Sequence, residues 1–233
     1  MSSNSLLKSD FSTFATIICD LCRKLHTSAS TLVLSISLYA DCISSDWQPN
    51  DSITCEIMAA ASILLASKHN EDLVKSRDIC IALVSLKVLR PESHRYSELV
   101  VGLVRNSQSE DTLYDQFRLL VGKAELILIR QLSFRLNPTN PFTMLAQKTA
   151  TDEVSLNEFR QLYPLLLTCL ADSDAHYVVR ECESSKLLDI LKTLSQILST
   201  ESRETTKSLA ESVLEMTPEG PTILNAVFRC FLV

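Results

Sequence analysis

Only three glycines, Gly102, Gly122 and Gly220, occur in 233 residues, and this scarcity limits the possible folds more than any other feature. Sheet-rich folds need glycine at tight turns, and phosphate-cradling loops need it where backbone approaches the ligand. None of the three lies in such a cluster, so an all-α chain without a glycine-rich nucleotide site is expected. Hydrophobic residues make up 46% and charged residues 21% of the sequence, the balance of a chain that buries a core.

Apolar periodicity places the helices. Phe11, Phe14, Ile17, Ile18, Leu21 and Leu25 recur at three- and four-residue steps, which predicts an amphipathic helix over 11–25. A second is expected over 28–43, ending before Pro49. A third, capped by Asp51 or Ser52, runs to Lys68. It is apolar nearly all round, and Ala59, Ala60, Ala61, Ser62 and Ala66 let neighbouring helices approach closely. Ser76 is expected to cap a shorter helix through Leu86, followed by a polar connection over 90–110.

Asp111 opens the clearest pattern, with Leu113, Phe117, Leu120, Val121, Ala124, Leu128 and Leu132 on one stripe. Carried through Phe134, it predicts a helix roughly 36 Å long. The string Asn137-Pro138-Thr139-Asn140-Pro141 ends it, because proline lacks the amide a helix needs. The expected organisation is a first helical bundle over 1–136, a linker with a short helix over 137–153, and a shorter, divergent bundle over 154–233. Within the last, helices are expected over 154–171, broken or bent at Pro164, over 187–198, and over 203–216 and 221–232.

Charge and cysteine usage exclude several functions. Residues 1–136 carry 14 Lys/Arg against 15 Asp/Glu, and residues 137–233 carry 8 against 13. Neither half offers the basic surface of a nucleic-acid binder, so no direct nucleic-acid partner is expected. The apolar runs fall short of the roughly 20 residues of a membrane span, and MSSNSLLKSD lacks a signal-peptide core. No membrane partner is expected, and the chain reads as soluble, in the nucleus or cytoplasm, with its eight cysteines reduced. Cys19, Cys22 and His26 share one helical face, yet a structural zinc site takes four ligands and no second Cys-x-x-Cys exists. They read as core thiols, and neither metal nor cofactor is expected. His94, His176 and the other cysteines form no nucleophile–base set. Trp47 in its polar loop reads equally as a plug or as an exposed contact.

Two strings carry a resemblance. LLASKHNEDLVKSRDI, Leu64 to Ile79, is a helix ending in Leu-Ala-small-Lys, then acidic residues, a polar turn and Arg-Asp-Ile. KAELILIRQLSFRLNPTNPFTML, Lys123 to Leu145, is similar to Glu-x-x-x-Leu-x-x-Leu-x-Phe, with Ile129 at the first leucine position, followed by a proline–aromatic entry to the linker. In order and spacing they resemble the cyclin box, over roughly residues 11–145, and most of all the box of transcription-type cyclins. The resemblance implies a cyclin-like fold of two helical bundles and a non-catalytic subunit that binds a cyclin-dependent serine/threonine kinase as a heterodimer.

By the same resemblance, Lys68 and Glu125 are the residues that bond to kinase backbone beside its αC helix. His69, Glu71 and Ile129 are implied as further partner contacts. The sequence departs from the family where the acidic pair after the lysine is Asn70-Glu71, and where His69 replaces the usual aromatic or aliphatic residue. The patch by which cell-cycle cyclins recruit substrates is absent, with Ile36 to Ala40 in its place. Without the strings, Lys68 is a solvated helix end and Glu125 part of a wet stripe with Asp115, Arg118 and Gly122. The alternative function is a cyclin-fold adaptor, similar to general transcription factors, that activates no kinase.

Overall fold

A computed structural model describes residues 3–44, 53–89, 110–134, 141–172, 175–199, 222–223 and 225. The regular structure among these residues is helical, with no strand, in line with the glycine count. The expectations for Trp47, His94, the 90–109 connection, Asn137 to Asn140, the 203–216 helix and most of 221–232 lie outside the described residues. The chain divides into two compact units, Met1–Pro138 and Thr139–Val233.

The first unit contains α1 (Ser3–Leu25), α2 (Ala29–Ser44), α3 (Cys55–His69), α4 (Ser76–Leu89) and α5 (Glu110–Gln131). α3 packs against α1, α2 and α5. Every residue from Ile57 to Ser67 is buried, as is every residue from Val33 to Ala40 in α2. Burying two helices all round costs least where their polar groups are satisfied internally. Ser35, Ser62 and Ser67 do this by donating to the carbonyls of Thr31, Ala59 and Leu64, three or four residues back, at 2.6–2.8 Å, whereas the buried Ser37 hydroxyl has no partner among the described residues. Ile36 to Ala40 are therefore core, and Tyr39 packs between the rings of Phe11 and Phe14.

Several helix ends differ from expectation. α3 is capped by Thr54, whose hydroxyl accepts from the Ile57 amide, and not by Asp51 or Ser52. All three are cap-forming residue types, and the one directly before the first helical residue, Cys55, takes the role. Ser76 lies inside α4, since the Lys75 carbonyl already accepts from the Asp78 and Ile79 amides. α5 stops at Gln131 and does not reach Phe134: the Phe134 amide donates back to Ile129 and the Ser133 amide to Arg130, with Ser133 at φ 49°. This double closure is a Schellman end, normally built on glycine. The same closure ends α1 at His26, and left-handed residues follow α3 at Glu71 and the Pro141–Ala150 helix at Asp152. A chain so poor in glycine sets ordinary residues at these positions.

The second unit holds α6 (Pro141–Ala150), α7 (Leu156–Ala171), α8 (Ala175–Glu181) and α9 (Ser184–Ser199), where α6, α8 and α9 all pack against α7. Pro141 is the first residue of α6, where its missing amide costs nothing. Ser155 and Glu158 form a capping box that starts α7, which continues unbroken through Pro164. α8 has no counterpart among the sequence expectations. His176 fixes it: the buried ring donates from Nδ1 to the Leu170 carbonyl at 2.9 Å, and Nε2 faces the Arg180 guanidinium at 3.4 Å. Where α6 meets α7, Phe159 and Tyr163 stack and Phe142 packs edge-on against both. Among the described residues no helix is long and apolar enough to cross a membrane.

Candidate functional site

α5 buries Phe117, Val121, Ala124 and Leu128, a stripe of four- and three-residue steps. Glu125 and Ile129 each follow a stripe residue by one position, so they lie on its flank. α3 stays buried up to Ser67 and emerges at Lys68. The packing of α3 on α5 brings the two flanks together, and the Lys68 ammonium donates to Glu125 Oε1 at 2.7 Å across 57 residues of sequence. The bond is charge-assisted, hence stronger than a neutral one. The lysine also sits at the negative end of the α3 dipole, which favours a cation there.

Around this pair, His69 is exposed, with Nδ1 3.4 Å from the Asn70 side-chain oxygen. Ile129 is half-buried one turn beyond Glu125, and Leu126 beside it is 57% exposed. Glu71 is exposed and holds φ 59°, the left-handed residue that ends α3. Lys68, Glu125, His69, Glu71 and Ile129 thus all lie in the first unit, on α5 or on the last turn of α3 and its exit. Of the wet stripe, Asp115 and Arg118 are exposed, but the Glu125 side chain is only 15% exposed.

Asp72 was not singled out from the sequence, and it organises the exit from α3. Its amide donates to the Ser67 carbonyl at 2.9 Å, closing the last turn of α3. Its carboxylate oxygen Oδ2 accepts from the Ser28 amide at 3.0 Å, the Ser28 hydroxyl at 2.8 Å and the Thr31 hydroxyl. Ser28 is the cap of α2, its hydroxyl accepting from the Thr31 amide. Asp72 therefore takes the cap amide, the part a glutamate three residues on plays in a capping box. Asn70 adds a second tie, donating to Thr31 and accepting from Ser30. Partial desolvation pushes the Asp72 carboxyl up, but the bonds from Thr31 and Ser28 outweigh it and hold the group below its ordinary range. Asn70, a departure from the family pattern, is thus engaged inside the chain.

The Cys19, Cys22 and His26 face is not a clustered ligand set. Burial, aided by the neighbouring Asp20, pushes the Cys19 thiol up to about 11, and burial pushes Cys22 up to about 12. His26 is exposed at the left-handed end of α1. Among the described residues no three His, Cys, Asp or Glu side chains are placed to hold a metal ion.

What the arrangement can do is present charge. A lysine ammonium has three donors and Glu125 takes one, so donors remain for carbonyls of another chain. No model of a known protein family matches this sequence, and no curated protein matches it.

Proposed function

We propose that the chain is a cyclin-type regulatory subunit, nearest in its strings to cyclin Q, that binds and activates a cyclin-dependent kinase in transcription or signalling control. One observation carries the reading. Lys68 and Glu125, assigned to the kinase by the resemblance of two separate strings, meet at 2.7 Å on the flank of the α3–α5 contact. Their separation of 57 positions makes that meeting a product of tertiary packing.

The chemistry follows from the pair. Lys68, held by Glu125, offers its remaining donors to backbone carbonyls at the end of a partner helix, and Ile129, Leu126 and His69 supply surrounding contact area. A free cyclin-dependent kinase keeps its αC helix rotated outward, so its Lys–Glu pair and metal-binding aspartate are misaligned for phosphoryl transfer. A subunit that docks only on the inward form shifts the kinase towards it by its differential affinity. Every catalytic group belongs to the kinase.

The test is co-expression of the chain with individual cyclin-dependent kinases. A one-to-one complex with raised kinase activity, weakened in the Lys68→Ala/Glu125→Ala variant, supports the reading. An affinity unchanged in that variant removes the proposed site.

A further inference from the structure

Five residues beyond Lys68, Leu73 is 98% exposed, more than any other large apolar side chain among the described residues. Single exposed leucines are ordinary, but the backbone here is unusually well held. Leu73 is the central residue of a γ-turn, the Val74 amide donating to the Asp72 carbonyl at 2.9 Å. On one side Asn70 and Asp72 are tied to Ser28, Ser30 and Thr31 at the start of α2. On the other, the Lys75 carbonyl already accepts the first amides of α4. An apolar tip thus stands in water on a turn clamped at both ends. A partner that covers it finds the backbone already ordered, which removes one of the main costs of binding.

We propose that residues 70–75 form a preformed contact arm of the face that carries Lys68 and Glu125, with Leu73 as the apolar tip that enters a depression on the kinase and Asp72 as the positioning residue that holds the arm out. The inference rests on the kinase-binding reading above. Continuity with that face selects the kinase as occupant. The arm is the direct exit of α3, and the Asp72 amide closes the helix on Ser67, the residue before Lys68. Five residues of chain span at most about 18 Å. A standard interface of about 800 Å² per partner is roughly 30 Å across, wider than that span, so one footprint can cover both Lys68 and Leu73.

The test uses the full chain, a panel of purified cyclin-dependent kinases and titration calorimetry, with melting temperatures recorded for each variant. For the kinase that binds, Leu73→Asp is expected to weaken affinity about tenfold or more, the effect of losing one buried leucine contact, while melting unchanged because the side chain is exposed. Asp72→Ala is expected to weaken affinity too, and Asp72→Asn, which keeps an acceptor oxygen, to restore part of it. Unchanged affinity for Leu73→Asp beside a weakened Lys68→Ala overturns the arm and leaves the kinase reading standing. A wild-type chain that binds no kinase of the panel overturns both.

Discussion

Lys68 and Glu125 differ in side-chain exposure, 57% against 15%, and the difference divides their roles. On the proposed kinase-binding reading, Lys68 is the group presented to the kinase, and Glu125 holds it in place. An ion pair this exposed contributes at most about 1 kcal/mol to folding, whereas a charge-assisted bond lost from a complex costs about 1.5–3 kcal/mol. Lys68→Ala should therefore change denaturant stability by less than about 1 kcal/mol and weaken kinase binding by a factor of at least ten. Glu125→Ala should add little once Lys68 is gone, a coupling that a double-mutant cycle measures directly. Asp72 has a pH signature of its own. Its carboxyl is held below the ordinary range in the folded chain, so its stabilisation is complete above the unfolded value near pH 4 and fades as pH falls through the folded one. Urea melts from pH 6 to pH 3 should show Asp72→Asn less stable at the upper end and converging on wild type at the lower end. The sequence pointed to Lys68 and Glu125 through local strings. Asp72 escaped because its bonds reach Ser28 and Thr31, 44 and 41 residues away, and no periodicity reports a contact between a loop and another helix's cap.

At the scale of elements, apolar stripes were strong guides and helix ends weak ones. The buried register of α5, Phe117, Val121, Ala124 and Leu128, is the register its sequence spells. The α3 cap was misplaced because Asp51, Ser52 and Thr54 have similar capping chemistry, and only the fold decides among them. The end of α5 was overrun because Phe134 continues the apolar pattern, while the chain turns left-handed at Ser133 without the glycine that usually signals it. That turn supports a prediction: Ser133→Gly relieves a left-handed conformation costing roughly 1–2 kcal/mol, and should raise unfolding stability by several tenths to about 1 kcal/mol after the extra freedom of glycine in the unfolded chain is subtracted. Pro164 is another such site. It is exposed inside a continuous helix and removes one helical hydrogen bond, so Pro164→Ala should stabilise the second unit by about 1–3 kcal/mol, read as a shift in its urea midpoint. No change in that midpoint would mean that the helix has already absorbed the proline.

For the whole molecule, the division into two units places every candidate contact in the first. Lys68, Glu125, His69, Glu71, Ile129, Asp72 and Leu73 all fall within Met1–Pro138. A chain ending at Pro138 should therefore bind the kinase within about threefold of the full chain, as judged by calorimetry. A loss of a hundredfold would move essential contacts into the second unit. The central claim is activation of a kinase through the pair at the end of α3, and its most direct measurement is kinase activity in purified complexes. With wild-type chain, a cyclin-dependent kinase should run as a one-to-one complex and phosphorylate a peptide substrate well above its free rate. The Lys68→Ala/Glu125→Ala chain, folded and at equal concentration, should leave it near that free rate. Equal activation by the two chains, or none by either across the panel, would contradict the account.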